Sequence, residues 1–260
     1  QYATGYTVTA NYTGEVAKTG CSVVTYTAIF GNTDLWRAAF NSFYVAIIGC
    51  VLGLIGTCVA AYPMAYGNFY GKKLYVIIIM FTMWFNAGIV PLFLTIRQLG
   101  LYDSLWALIL NSMITAYNVV IIRSYFSSIP FSVIESARID GATDYRILFQ
   151  LVIPLSKPVL ATVALWLIVG HWNDYLNPLV LIHSQEHKTL QLFLKELVLN
   201  AETSTSNLAS VNDATNKGVA ALSQQLKNGV LVVSMVPMLV LYPFLQKFFV
   251  SGVMLGSVKG

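Results

Sequence analysis

Two histidines and a glutamate stand in the order used by inverted zinc proteases, His183-Ser-Gln-Glu186-His187. Two imidazoles one turn apart on a helix can hold Zn²⁺ while the glutamate takes a proton from bound water. The chemistry also needs a supported helix and a further acidic ligand from elsewhere. Here the segment follows Pro178, and the only downstream glutamates, Glu196 and Glu202, lie close by. A membrane metalloenzyme at His183 and His187 is therefore a rival reading. Other enzyme signatures are missing from the sequence. There is no GKS/T phosphate loop, and no Ser-His-Asp arrangement can be argued, because the histidines cluster while the acids stand apart. Cys21, Cys50 and Cys58 have no metal spacing and read as small apolar fillers. No catalytic residue and no metal ligand is assigned, and the chain is expected not to be an enzyme.

Two further clusters could line a wet path. His171-Trp172-Asn173-Asp174-Tyr175 combines rings, an amide and a carboxylate, and Asn86-Ala-Gly88 with Pro91 sets an amide beside helix-loosening residues. Both lie within apolar stretches, where ionisable groups are costly unless they face a cavity or each other. Carbonyls freed near Gly and Pro need water or a neighbour. Asn86, Trp172, Asn173 and Tyr175 are candidate linings of a translocation pathway. The residues alone leave open a filled kink at Asn86 and interfacial anchoring by Trp172 and Tyr175.

The elements that must hold these groups are membrane spans. Of 260 residues, 57% are hydrophobic and 10% charged, with mean hydropathy +0.67, whereas a soluble domain carries about a quarter charged residues. Five apolar intervals, Ala38–Gly71, Leu74–Ile96, Ser104–Ile122, Pro158–Ile182 and Asn228–Gln246, meet or approach the length that crosses a bilayer as helix. In the first, Tyr62-Pro63 with Gly67 and Gly71 predicts a helix end in the mid-sixties. The alternating segments of a β-barrel are not visible.

Lys and Arg set the orientation. Lys72, Lys73, Arg123, Arg138, Arg146, Lys157, Lys247 and Lys259 mark one side, and the loop Arg97–Asp103 on the other holds one basic residue. The basic side is read as cytoplasmic. Residues 1–37 are then an external segment ending in a short amphipathic stretch, Asp34–Arg37, and 38–260 the transmembrane domain, with an external loop over 183–227. Within that loop Leu190, Phe193, Leu194, Leu197 and Val198 have helical spacing, ahead of a Ser-, Thr- and Asn-rich tip. Because Gln1 falls outside, a preceding first span is expected, five being present and six the total. The net charge of +4 is mostly this sidedness, and no nucleic-acid partner is indicated.

Between the third and fourth intervals lies a polar island, Glu135-Ser-Ala-Arg-Ile-Asp-Gly141, followed by Pro154. Flanked by spans, it must lie at a membrane face. Pro130 can open a helix over Phe131–Asp140, with Ile134, Ala137 and Arg138 near one face. Gly141 permits a sharp turn into a second helix from Asp144 to Ile153, which Pro154 and Pro158 should break. A helix laid across the membrane plane with an apolar ridge suits a groove in another protein. An elbow that merely joins two spans is the alternative.

Glu135-Ser-Ala137, Gly141 and Leu151-Val-Ile-Pro154 together resemble the EAA–G–I-x-L-P coupling motif of ABC importer permeases. Ser136 stands for the second alanine, and Leu151 and Ile153 exchange the usual residues. Trp172-Asn-Asp-Tyr-Leu-Asn-Pro178 resembles the W-N-[DE]-[FY]-L-x-P-L run of carbohydrate permeases such as the maltose transporter's smaller membrane subunit. The ending from Tyr242 to Lys259 is similar to that of a subgroup importing oligosaccharides released from complex polysaccharides. The likeness runs from about Asp34 to Gly260.

That resemblance implies an all-α, polytopic membrane helical bundle with the type I ABC importer permease (MetI-like) fold, in a bacterial cytoplasmic (inner) membrane. It implies import of oligosaccharides by alternating access. The implied partners, besides membrane lipid, are a second permease, two ATP-binding subunits carrying ATP and Mg²⁺, and an extracytoplasmic oligosaccharide-binding protein. No cofactor is expected in this chain. The element 127–157 would couple to the ATPases through Glu135, Ser136, Ala137, Asp140, Gly141 and Pro154, while Glu202, Asn207 and Asn212 would meet the binding protein. Most sugar contacts would belong to the other permease. A same-fold permease for an amino acid, peptide or anion is the main rival, although the spans hold no Lys or Arg that would favour an anion.

Overall fold

In a computed structural model, residues 33–85, 87–197, 199, 229, 232, 235 and 239 are described, and all regular structure among them is helical. Helix α1, Thr33–Tyr66, is roughly 50 Å long at about 1.5 Å per residue. Among the described residues it is the one unbroken helix long and apolar enough to cross a bilayer. It begins ahead of the predicted Ala38, so Asp34–Arg37 form its first turn rather than a separate stretch, and Leu35 is buried. It ends in the mid-sixties as expected. Pro63 sits in the last turns, and its carbonyl accepts the Gly67 N–H at 3.0 Å.

The next three predicted spans are broken. Leu74–Ile96 becomes α2, Lys72–Trp84, and α3, Ile89–Gln98, with Phe85 in extended backbone and Gly88 at φ 84° between them. Ser104–Ile122 becomes α4, Leu105–Asn111, and α5, Ala116–Phe126, bent by 49° at residues 112–115. Thr115 restarts the chain as helix by accepting the Asn118 N–H on its hydroxyl at 3.4 Å. The polar island forms α6, Phe131–Ile139, and α7, Asp144–Leu155, which turns by 85° into α8, Lys157–Asn173. The predicted span Pro158–Ile182 stops at Asn173, where Asp174 goes extended, and resumes as α9, Leu176–Leu181. A 3₁₀ turn, Gln185–His187, precedes a helix over 190–197, where Leu190 and Leu194 are buried as their spacing required. Of Asn228–Gln246, only residues 229, 232, 235 and 239 are described, and they are helical.

α1 is the mast of the bundle, packed against α8, α5 and α4. Its glycines set how closely they come. A Cβ on Gly49 would stand 2.5 Å from His171 Nε2, and one on Gly53 would stand 3.0 Å from the Met113 carbonyl oxygen. Small residues on a span permit such backbone approach without a hydrophobic drive between helices. Around the Tyr62 end, Cys58, Ala61, Met64, Ile122, Phe126 and Val163 join Ile134, Ile147 and Val152 of the elbow in one core. Around the other end, Val45, Leu108, Ile109, Leu181 and Leu192 form a second core. Cys50 and Cys58 are buried and unpaired, as fillers should be.

Candidate functional site

The elbow between α6 and α7 is shaped by its backbone. At the end of α6 the Ala142 N–H reaches the Ala137 carbonyl and the Gly141 N–H reaches the Arg138 carbonyl, each at 3.0 Å. These nested bonds require a left-handed residue between them, and Gly141 supplies φ 81°. Ala137 and Ala142 pack on the core beneath. Thr143 then caps α7 by accepting the Arg146 N–H at 3.4 Å.

One carboxylate fastens the elbow to the mast. Asp144 Oδ1 accepts from Tyr62 Oη on α1 and from Arg138 Nη2 on α6, both at 3.0 Å. The hydrogen bond to Asp144 raises the Arg138 pKa from its ordinary value, against partial burial. One α1 turn further on, the Tyr66 hydroxyl donates to the Phe126 carbonyl, and from α2 Tyr75 Oη donates to the Ala60 carbonyl at 3.0 Å.

The predicted docking ridge faces inward. Ile134 is fully buried and Ala137 half-buried, while Arg138 turns to Asp144. The outward face carries Glu135, Ser136 and Asp140, with Ile139 81% and Tyr145 76% exposed. The break expected of Pro154 and Pro158 falls between them, with Pro154 itself inside α7, which runs on to Leu155. A proline would clash with the carbonyl four residues back, and a wide turn over Leu148–Val152, in which the Ile153 N–H reaches the Leu148 carbonyl, relieves the mismatch. The chain bends at Ser156.

The zinc pattern does not assemble. His183 and His187 are joined by a 3₁₀ turn rather than an α-helix, and no metal-binding group of three His, Cys, Asp or Glu forms among the described residues. Their partner is Asp103, whose Oδ1 accepts the N–H groups of His183 (2.8 Å) and Ser184 (2.9 Å) and the Ser184 hydroxyl (3.1 Å). Burial pushes the Asp103 carboxyl up, but these donors, with His187 nearby, outweigh it and hold the pKa below the ordinary value. From α1, Asn41 Nδ2 donates to the carbonyls of Glu186 (2.7 Å) and Lys188 (2.9 Å), and Ser42 Oγ accepts the Leu190 N–H (2.8 Å). Lys188 Nζ meets Glu196 Oε2 at 2.5 Å.

Among the predicted pathway residues that are described, Asn173 alone lines the cavity of about 610 Å³ between the α4–α5 break and α8. Trp172 is turned away, 3% exposed, edge-on to Phe43 at 5.0 Å and packed with Leu35, Leu190 and Leu194. Tyr175 is exposed and stands outside the cavity wall. Asn86, Glu202, Asn207 and Asn212 lie outside the described residues. Ser112, Thr115, Asn118, Tyr117 and Trp166 share the wall with Asn173, and sequence reasoning missed them. The available signal was the polar spacing Ser112, Thr115, Asn118 inside an otherwise apolar interval.

A bundle of broken helices with a cavity at the α4–α5 break and an elbow that exposes apolar side chains at one end fits a membrane transport subunit. Residues 35–211 match the family described as binding-protein-dependent transport system inner membrane component, and the chain belongs to that family. It is similar to the polygalacturonan/rhamnogalacturonan transport system permease protein YtcP of Bacillus subtilis (strain 168), 34% identical over 92% of this chain and 82% of that protein. It is also similar to protein LplC of the same organism, 36% identical over 90% of this chain and 78% of the relative. The helical fold matches a solved bacterial ABC transporter involved in import of the acidic polysaccharide alginate, with TM-score 0.75 and 33% identity over 86% of this chain and 79% of that one. The family is one of permeases, not of enzymes.

Proposed function

We propose that this chain is the membrane-spanning permease subunit of an ATP-driven importer of oligosaccharides in a bacterial cytoplasmic membrane. A second permease, two ATP-binding subunits and an extracytoplasmic sugar-binding protein complete the assembly. The observation that carries the reading is the elbow, residues 127–157, clamped to α1 through Tyr62–Asp144 while Ile139 and Tyr145 stand exposed. Glu135, Ser136, Asp140 and Gly141 lie on or shape the face that meets the ATPase. Ile134, Ile147 and Val152 share a core with α1, α5 and α8, so a push on the elbow moves those helices together. ATP drives the change only by binding better to one arrangement of the assembly than to the other. The loop 183–227 faces the binding protein, and the sugar assignment is supported by what the relatives are named for carrying.

Detergent extraction of the tagged chain should bring down a stoichiometric ATPase, and oligosaccharide uptake by the reconstituted assembly should require ATP. Uptake without ATP, or an elbow left bare to solvent in the purified assembly, would overturn the reading.

A further inference from the structure

Ile47, Val51, Ile55 and Val59 recur every four residues and so form one slanted ridge along α1. Each is between 45% and 54% exposed. The side of α1 on which its neighbours pack is a different one. Gly49, Gly53 and Gly56 lie there, where an added Cβ would meet His171, Met113 and Ile114. Spans approach one another through such small residues. A ridge of branched aliphatic side chains suits acyl chains instead. From Ile47 to Val59 it runs roughly 18 Å, close to one leaflet's share of a ~30 Å hydrocarbon core.

At Val59 the ridge enters a cavity of about 530 Å³ between the Tyr62 end of α1 and the elbow, a size within the usual range for small-molecule sites. Val59, Pro63, Phe69 and Leu148 supply its apolar wall, and Arg138 and Asp144 its polar wall. Those two are joined by one contact at 3.0 Å, and their side chains stay 40% and 64% exposed. Tyr62 and Arg138 both donate to Oδ1 of Asp144, which leaves Oδ2 for a further donor. A guanidinium carries five N–H donors in a fork that matches phosphate oxygens. The lining thus offers one charge of each sign at the basic end of the bundle, and its complement is a headgroup with a phosphate and an amine. A purely anionic headgroup would meet Asp144 as a like charge. A primary ammonium can donate N–H to Asp144 and to the Asn68 amide oxygen beside it, whereas a quaternary one has no N–H to give.

We propose that this groove holds one phosphatidylethanolamine molecule of the inner leaflet, with its phosphate on Arg138, its ammonium on Asp144 and an acyl chain along the Ile47–Val59 ridge. A lipid so placed touches α1 and α7 together, and it braces the elbow from the membrane side as the Tyr62–Asp144 bond does from within. Only the choice of leaflet rests on the orientation given under the proposed function.

The complete assembly is placed in phosphatidylcholine nanodiscs holding equal mole fractions of phosphatidylethanolamine and phosphatidylglycerol, and the lipids it retains are counted by native mass spectrometry. Co-purification of the partner subunits checks folding of each variant. Wild type should keep phosphatidylethanolamine over phosphatidylglycerol. Arg138→Gln should cut that retention about tenfold, as loss of a charge-assisted hydrogen bond does. Val59→Trp crowds the ridge where it enters the cavity and leaves the Arg138–Asp144 pair alone. It should lower retention too, and it stands in if Arg138→Gln does not assemble. Asp144→Asn should shift the ratio toward phosphatidylglycerol. Ile55→benzoylphenylalanine, on illumination, should cross-link to lipid. Unchanged retention in an assembled Arg138→Gln or Val59→Trp variant overturns the site. Equal retention of the two lipids by wild type overturns the amine assignment. Displacement by soluble glycerophosphoethanolamine overturns the acyl ridge, and a cross-link from position 55 to the second permease makes the ridge a protein interface instead. The nanodiscs are symmetric and neither ATP nor sugar is present, so failure here leaves the transport reading standing, and failure of uptake leaves the lipid site standing.

Discussion

At its Asn41 end, α1 is held by an amide and a hydroxyl that reach backbone atoms of residues 186–190. At its Tyr62 end it is held by phenols that reach Asp144 and the Phe126 carbonyl. The joint at the Asn41 end, the outer one in the proposed orientation, is closed on itself. Asp103 takes donors from the turn it supports, and buried Lys188 meets Glu196. The joint at the Tyr62 end, the inner one in the same orientation, is half closed. Asp144 and Arg138 satisfy each other, but Glu135 and Asp140 have no side-chain partner among the described residues, and Ile139 and Tyr145 stand out from the surface. Covering one such large apolar side chain is worth about 1.5–3 kcal/mol. On the proposed function the two ends divide the work, one holding the bundle together and the other presenting a fixed shape to the ATPase.

The sharpest way to break that contrast is Gly141→Val. Open space surrounds the position, with nothing within 4 Å of an added Cβ, so the penalty is purely conformational. A β-branched residue at φ 81° costs about 1–3 kcal/mol, which is roughly five- to 150-fold if the docking geometry bears it all. ATP-dependent uptake should fall by that factor while the outer joint, followed by proteolysis of the 183–197 segment, stays intact. Full uptake in this variant would separate the elbow from coupling.

Asp103→Ala should act in the opposite sense, on stability before function. It leaves the His183 and Ser184 N–H groups without their acceptor, a loss of about 1–3 kcal/mol, read as a lowered unfolding midpoint of the detergent-solubilised assembly. Asp103→Asn should lose less, because asparagine tolerates the positive φ of 60° at this position. The pH dependence has a definite sign. A carboxyl held below its ordinary value in the folded chain contributes stability that is present above its unfolded pKa and lost as pH falls through the folded one. The difference between wild type and Asp103→Asn should therefore narrow below about pH 4. A difference that stays constant well below that pH would mean that the carboxylate is not what holds the turn.

Tyr62→Phe sharpens the comparison at the inner joint. It removes one hydrogen bond and keeps the ring that packs beside Tyr66 at 5.5 Å, so about 0.5–1.5 kcal/mol is at stake. Uptake should drop less than in Gly141→Val, and the ATPase should still co-purify. If the ATPase were lost as well, Tyr62 would be part of the docking face rather than a tie between α1 and the elbow.

How far each joint could be read in advance follows from the separation of its parts. Pro130, Gly141 and Thr143 act on neighbours within a few residues, so the helix–turn–helix of the elbow was legible. Which way Ile134 faced was not, because the core it fills comes from α1 and α5. The outer joint links positions about 80 and 145 residues apart, and nothing local marks Asp103 or Asn41 as its members. Apolar intervals show where spans fall but are blind to breaks inside them. Ser112 and Thr115 are small and cost little in a hydropathy reading, yet the chain bends there because Gly53 lets the Met113 carbonyl sit against α1. Trp172 misled for a related reason. Its neighbours Asn173 and Asp174 do line the cavity, but one residue along a helix is about 100° around it, and the indole lands on Phe43.

The smallest effect is expected from His187→Ala, and it tests whether the outer joint is only structural. His187 Nδ1 lies 3.1 Å from Ser184 Oγ and 3.9 Å from Asp103 Oδ1, with the ring partly exposed. Exposed pairs of this kind contribute about 0–1 kcal/mol, and Asp103 keeps both backbone donors without the imidazole. The unfolding midpoint should hardly move, uptake should match wild type, and metal analysis of the purified assembly should show no zinc in either form. A zinc-dependent cleavage that vanished with His187 would require the 3₁₀ turn at Gln185–His187 to rearrange into a helix with Asp103 released from it. The outer joint would then be a reactive site, and the division of labour between the two ends of α1 would be reversed.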